Sequence, residues 1–334
     1  MYALAKKALF LLNPELAHEV SLDMMSAAER LRLLSLFFPK PIHNPTTFMG
    51  IEFPNRVGLA AGMDKNGDHF NALGALGFGC VEIGTVTPKP QDGNPSPRLF
   101  RLVEDEAIIN RMGFNNKGVD YLVERVKNRR FDGVLGINIG KNKDTPEDRA
   151  LEDYEICLEK VYAYADYITV NISSPNTPGL RNLQFGDAFD SLLAGIKIKQ
   201  KALADEHSKY VPIVIKVAPD NSSEQIQSIA ATLKTHNIDG LIVSNTTISR
   251  EGLHSEHSEE MGGLSGRPLL EKANESLDEY RKALGEDFPI IGVGGISTAE
   301  DGETKMSLGA DLVQIYTGFI YHGPGLVRRL AEAL

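Results

Sequence analysis

From residue 56 onward the sequence alternates eight times between a short apolar run and a longer stretch with helical periodicity. The runs are RVGLAAG (56–62), CVEIGTVT (80–87), VLGINIG (134–140) and YITVNIS (167–173), then IVIKVAP (213–219), GLIVSN (240–245), IIGVGG (290–295) and LVQIY (312–316). Runs this short, rich in Val and Ile and bounded by Gly, Pro, Asn or Ser, read as buried strands. Helical patterns follow near 67–77, 116–130, 147–164, 187–206, 223–237, 268–284, 298–308 and 324–333. Strands joined through helices pair in parallel, because a parallel pair needs a long crossover. Eight such units over about 280 residues predict an α/β fold, a (β/α)8 TIM barrel. A doubly wound open sheet is the architectural alternative. No long charged or Gly/Ser linker divides the stretch, so residues 41–334 read as one domain. Residues 97–112, PRLFRLVEDEAIINRM, interrupt the alternation and read as an extra hairpin over one end.

Residues 1–40 form a separate unit. YALAKKALFLLNP and PELAHEVSLDMMSAAERLRLLSLFFP read as two helices divided at Asn13-Pro14. In the second, Leu16, Val20, Met24, Ala27 and Leu31 trace one face, and Pro39 and Pro41 end the helix. Its tail, LRLLSLFF, is more apolar than a small surface helix requires. Two readings stay open: a helical cap folded onto the barrel, or an amphipathic anchor lying in a membrane interface with Lys6, Lys7, Arg30 and Arg32 toward lipid headgroups. No apolar stretch reaches the ~20 residues of a spanning helix, and no small-residue cleavage site follows an apolar core near the start, so no secretory signal is expected.

In a TIM barrel the site lies at the C-terminal ends of the strands. Those ends carry polar groups in every run: Asp64 and Lys65 after the first, Thr85, Asn138, Asn171, Lys216, then Ser244, Asn245 and Thr246, the glycines of GVGGISTAED (292–301), and Tyr316 with Thr317. Turn chemistry explains any one of them. It explains less well why all eight ends, converging on one mouth, should be polar. The glycines after the seventh run and YTG after the eighth occupy the position where barrels commonly bind phosphate, so a phosphorylated ligand or cofactor is expected. GGLSGRP (262–268) reads as a second flexible glycine segment.

Lys65 and Lys216 point into the mouth, where an unpaired cation is costly. Each therefore faces an anion or serves as a Schiff-base nucleophile, as in an aldolase. Asn110, Asn171, Asn176 and Asn245 favour the anion reading, because carboxamides both donate and accept and so suit a flat heterocycle with alternating C=O and N–H edges.

Other classes fit poorly. The net charge of −10 excludes a general nucleic-acid binder. Cys80 and Cys157 show no CxxC spacing, against a disulfide framework or zinc cluster. Neither a Walker loop nor HExxH is present, and GLAAGMDKNG lacks the GxGxxG of a nicotinamide site. HSEHSEE (254–260) places His254 and His257 three apart, but in a polar loop that reads as a solvated lid rather than a metal site.

Taken in order, GLAAGMDKNG, EIGTVTPKPQDGNPSPRLFRL, NRMGFNN, GINIGKNK, VNISSPNTPGLR, IKVAPD, SNTT, GGLSGRPL, IGVGGI and VQIYTGFIY resemble the dihydroorotate dehydrogenase family across nearly the whole chain. The N-terminal helical pair resembles that of its quinone-dependent, membrane-associated class. Both cysteines lie outside the NISSPNT loop, unlike the cysteine base of the soluble class.

The resemblance implies FMN against Ala61, Gly62, Lys65, Thr85, Asn138, Asn171, Lys216, Ser244, Gly266, Gly295, Tyr316 and Thr317. It implies dihydroorotate held by Lys65, Asn110, Arg111, Met112, Gly113, Phe114, Asn115, Asn171, Asn176, Asn245 and Thr246, and a quinone headgroup near His18 and Arg101. In the reaction so implied, oxidation of (S)-dihydroorotate to orotate in pyrimidine biosynthesis, Ser174 takes the C5 proton while the flavin accepts the C6 hydride. Thr177, three residues on, is expected to relay that proton, and Lys216 to offset negative charge beside the flavin. The chain is expected as a monomer, peripheral to the cytoplasmic face of the inner membrane through residues 1–40, with dihydroorotate and a membrane quinone as partners and no metal.

Overall fold

The computed structural model describes residues 2–34, 38 and 41–334. Each of the eight apolar runs is a barrel strand: β3 (Val57–Leu59), β4 (Cys80–Val86), β7 (Val134–Ile139), β8 (Tyr167–Asn171), β9 (Ile213–Val217), β10 (Gly240–Val243), β12 (Ile290–Val293) and β13 (Leu312–Ile315). They close in the order β10-β12-β13-β3-β4-β7-β8-β9, every pair parallel. All eight are buried along their length, because helices cover the outside and side chains fill the inside. The helix after β9, Ser223–Thr235, and that after β12, Ala299–Ser307, both start with capping boxes, at Ser222/Gln225 and Thr298/Asp301.

The N-terminal end of the barrel is plugged by a hairpin absent from the sequence reading, β1 (Thr46–Phe48) and β2 (Ile51–Phe53). Phe48 and Phe53 pack with Val134, Tyr167, Val214, Ile242, Ile291 and Leu312, near the starts of the strands. The opposite end is covered by the expected hairpin, β5 (Leu99–Leu102) and β6 (Ala107–Asn110). A third strand, β11 (Gly263–Gly266), extends it in the order β11-β6-β5. GGLSGRP is therefore strand in its middle, not a flexible segment. A Cβ on Gly263 would stand 2.0 Å from Thr246 Oγ1, so glycine here permits close packing.

Helices α1 (Tyr2–Phe10) and α2 (Pro14–Arg30) divide at Asn13, whose side chain accepts from the Glu15 amide at 3.0 Å. The pair is docked on the barrel. Tyr2 donates to the Ile320 carbonyl at 2.5 Å, Phe10 meets Tyr321 edge-on, and Arg98 holds Glu15 at 2.9 Å. Helix α2 ends at Arg30, well before Pro39, with Arg32 at φ 58. Ser35, Leu36 and Phe37 of LRLLSLFF, and Pro39 and Lys40, lie outside the described residues. The face read in the sequence is the outward one: Leu16, Met24 and Leu31 are 47%, 66% and 69% exposed, whereas Ala17, Leu22 and Ser26 are buried. A short helix, Thr317–His322, also escaped the sequence reading, because YTGFIY continues the apolar character of β13.

Candidate active site

The C-terminal strand ends and the covering loops enclose a cavity of about 690 Å³, a size typical of small-molecule and cofactor sites. Ala61 and Gly62 after β3, Thr85 in β4, Asn171 at the end of β8 and Lys216 in β9 reach it. So do Ser244 and Asn245 after β10, Gly295 after β12, and Tyr316 and Thr317 after β13. From the covering strands come Asn110 and Gly266, and from the loops Lys65, Met112, Gly113, Phe114, Asn115, Ser174, Asn176 and Thr246.

The four asparagines fall into two hydrogen-bonded groups. Asn176 Nδ2 donates to the Asn110 carbonyl at 3.1 Å. Asn245 Nδ2 donates to Ser173 Oγ at 2.9 Å and Asn171 Oδ1 at 3.3 Å, and Asn171 Nδ2 donates to Thr85 Oγ1 at 3.1 Å. Register explains part of this, since parallel pairing sets Asn171 beside Lys216. Asn138 does not line the cavity. It lies beneath Thr85, accepting the threonine hydroxyl at 2.6 Å and donating to Glu82 at 2.8 Å.

Both lysines sit in desolvated places. Lys216 is 6% exposed; burial pushes its pKa down, and the Glu82 carboxylate pulls the other way. Lys65 is held down to about 8 by burial and by Arg98, against Glu15 and Asp64. Near the same mouth neither Gly294 nor Gly295 gives its amide to a backbone acceptor among the described residues. Gly295, at φ 81, has no alternative, because a Cβ would stand 2.3 Å from Leu270 Cα.

Ser174 is 6% exposed, with its Oγ accepting from the Asn176 amide at 3.3 Å. Thr177 is buried behind the wall, and its Oγ1 has no partner among the described residues. No direct bond joins it to Ser174. The loop is clamped by Arg181, which donates to the carbonyls of Ser173 at 3.1 Å and Thr246 at 3.0 Å and pairs with Asp220 at 2.9 Å. The sequence reading missed Arg181. Its only signal was an arginine close behind the polar loop.

The cavity continues past Lys65 to α2, where Glu15, His18, Leu22 and Ser26 line it together with Arg98. The His18 imidazole is pushed down to about 3 by burial and by Lys65 and His69, so it is neutral. Arg98, also missed, reaches this end. Arg101 does not line the cavity: it donates to the carbonyls of Leu9 and Leu12 and stacks on Phe10 at 4.6 Å, holding α1 to β5. Arg111 also turns away, pairing with Glu260 at 2.6 Å. The His254 amide donates to Asp105 and His257 rests against Phe100; among the described residues no group of His, Cys, Asp and Glu could hold a metal ion.

Comparison with known proteins agrees with this geometry. The dihydroorotate dehydrogenase family model matches residues 44–334. The dihydroorotate dehydrogenase (quinone) of Saccharophagus degradans is 59% identical, and that of Teredinibacter turnerae 58%, each over 100% of this chain and 99% of its own length. The ligand-free DHODH structure from Eimeria tenella superposes with a TM-score of 0.87 at 38% identity, over 96% of this chain and 93% of that one. The chain belongs to the dihydroorotate dehydrogenase family.

Proposed function

We propose that this chain oxidises (S)-dihydroorotate to orotate with a quinone as electron acceptor, as a step of pyrimidine biosynthesis leading to UMP. The observation that carries the reading is the continuity of one cavity. It runs from Ser174 and the asparagines at the barrel mouth to His18 on α2, so a polar ring and an apolar acceptor reach opposite ends of one space.

Enzymes of the family are flavin-dependent. The residues here fit FMN in particular. Among the described residues the buried Lys216 amine has no hydrogen-bond acceptor, and the Gly294 and Gly295 amides, which meet no backbone acceptor there, suit a phosphate. Gly62 at φ 107 leaves a backbone surface on which a Cβ would meet only Tyr316, at 3.3 Å. When bound, the flavin supplies two-electron redox chemistry, accepting the C6 hydride. Ala61, Gly62, Lys65, Thr85, Asn171, Lys216, Ser244, Gly266, Gly295, Tyr316 and Thr317 would hold it, with Asn138 acting through Thr85.

Ser174 removes the proton at C5. Serine is a weak base alone, and the unpartnered hydroxyl of Thr177 supports a relay behind it. Asn110, Asn171, Asn176 and Asn245 orient the ring, Thr246 and residues 112–115 close around it, and Lys65 pairs with the substrate carboxylate. Arg111 acts from outside by fixing the 260 loop. His18 lines the acceptor end of the cavity, and Arg101 positions α1 beside it.

Residues 1–40 are assigned to the membrane surface and 41–334 to catalysis. The exposed leucines of α1 and α2 support contact with lipid, and among the described residues no helix is long and apolar enough to cross a membrane. We place the protein, as a monomer, on the cytoplasmic face of the inner membrane. The test is spectral: purified protein should be yellow, release FMN on denaturation, and bleach when dihydroorotate is added without oxygen. A colourless protein that traps substrate on Lys65 or Lys216 with borohydride would replace this reading with an aldolase.

A further inference from the structure

Orotate formation sends a proton away from C5 and a hydride away from C6. The hydride carries two electrons and one proton equivalent. A quinone needs two electrons and two protons to become a quinol, so one more proton must arrive from protein or water. An apolar acceptor filling the α2 end displaces water there. Side chains must then carry the proton.

Two histidines line that end. The His18 ring bonds to the Met63 backbone, not to a side chain that could pass a proton on. His69 is placed differently. Its Nδ1 lies 2.8 Å from Ser26 Oγ, and its Nε2 lies 4.0 Å from the Asp23 carboxylate. Asp23 is 80% exposed and the His69 ring 18%. Ser26 is buried on the inner face of α2 and lines the cavity. Both Ser26 and His69 also line a second, smaller cleft of about 90 Å³, walled by polar groups including Asn71, Asn128 and Arg130. The pair thus stands between the acceptor end of the large cavity and a separate polar pocket.

We propose that His69 and Ser26 form a proton relay, delivering the second proton of quinol formation from the Asp23 side to the acceptor bound beside α2. The proposal rests on the quinone reading above. A proton taken up at one imidazole nitrogen is matched by one given to Ser26 from the other, and Ser26 passes its hydroxyl proton to the quinone oxygen. The count closes, with one proton from the hydride and one from the relay. Imidazole suits this because its two nitrogens exchange protons in opposite roles. His69 lines the cavity and bonds to α2 through Ser26, so the relay is assigned to the second half-reaction.

The charged groups around His69 come from three places. Asp23, Glu29, Arg30 and His18 belong to α2. Asp64, Lys65 and Asp68 belong to its own loop, with Asp64 accepting the His69 amide at 2.7 Å. Arg125 and Arg130 face it across the small cleft.

The test uses full-length holoenzyme with His69→Gln and Ser26→Ala, each half-reaction followed by anaerobic stopped flow. Bleaching by dihydroorotate should keep its rate. Reoxidation by a short-chain ubiquinone should slow on the order of a hundredfold, lose its pH dependence, and recover in part for His69→Gln when imidazole is added. Independently of turnover, the His69 imidazole NMR resonances should move when quinone is added to oxidised protein, and should not in Ser26→Ala. Unchanged reoxidation in both variants, an equal loss in both half-reactions, or resonances indifferent to quinone would overturn the relay. Wild-type protein that dihydroorotate fails to bleach would instead overturn the functional reading, and the relay with it.

Discussion

Thr85 donates its hydroxyl proton to Asn138 Oδ1 over 2.6 Å, joining the ends of β4 and β7 just beneath the cavity. Asn138 in turn donates to Glu82, a fully buried carboxylate that also accepts from Tyr167 at 2.9 Å, Thr169 at 3.1 Å and Gln314 at 2.9 Å. Because Thr85 spends its proton downward, its oxygen is left to accept from Asn171 above. The orientation of a mouth residue is thus set from inside the barrel.

Asn138→Ala should therefore act as a stability variant with a site effect. It strips one donor from a buried charge and leaves Thr85 free to turn. The expected loss is about 1–3 kcal/mol, with weaker flavin retention, measured by urea unfolding and by FMN released on gel filtration. Wild-type stability and flavin content would show that the Glu82 cluster does not depend on this amide.

Ser174→Ala should keep its bound flavin and lose dihydroorotate oxidation by roughly 10²–10⁴-fold. Among the described residues the side chain has one hydrogen bond, accepted from the Asn176 amide, so its removal should leave the fold intact. Steady-state rates beside the visible spectrum decide the matter; near-normal turnover would remove Ser174 as the base.

Lys65 gives a pH dependence with a definite sign. Its folded pKa is lowered to about 8, by burial first and Arg98 second. The free protein loses this cation as pH rises through that value, whereas an unfolded chain keeps it up to ~10.4. Affinity for orotate, read from the flavin spectrum, should weaken between pH 7 and 9. Lys65→Met should bind weakly at both ends of that range, without the slope. The same shift makes folding stability rise with pH between about 8 and the ordinary lysine value, because there the unfolded chain binds the extra proton. A flat orotate affinity in the wild type would exclude Lys65 as the carboxylate's partner.

Leu4 and Leu11 are 75% and 89% exposed on the N-terminal unit. Leu4→Asp and Leu11→Asp should each weaken binding to phospholipid vesicles by roughly tenfold or more, from the burial lost per leucine. Anaerobic bleaching by dihydroorotate should not change. Equal sedimentation of wild type and variants with vesicles would leave α1 and α2 as a cap only.

The barrel was legible because its signal is repeated. Each of the eight runs buries both faces of a central strand, so each is mostly apolar and none depends on its neighbours to be recognised. The plug β1/β2 and the cap strand β11 were not legible, being three- and four-residue segments that are strands only by virtue of what they pair with. The N-terminal helix shows the same limit. Its periodic apolar face was read correctly as a face, but the sequence could not say that it points outward, because small Ala17 and Ser26 seat the helix on the barrel instead.

The sequence by itself determined which residue types gather at the C-terminal strand ends, since in a parallel barrel the order of strand and helix fixes which end each residue occupies. The tertiary structure decided which of them face the cavity. Asn138, Arg101, Arg111 and Thr177 bear the right chemistry and lie within reach in sequence, yet they turn to Thr85 and Glu82, to the carbonyls of α1, to Glu260, and into the wall. Arg98, Arg181 and the Ser26–His69 pair became visible only there. Glu15 lies 83 positions from Arg98, Thr246 65 from Arg181 and His69 43 from Ser26, and no local pattern encodes where a side chain that far along the chain will fold back.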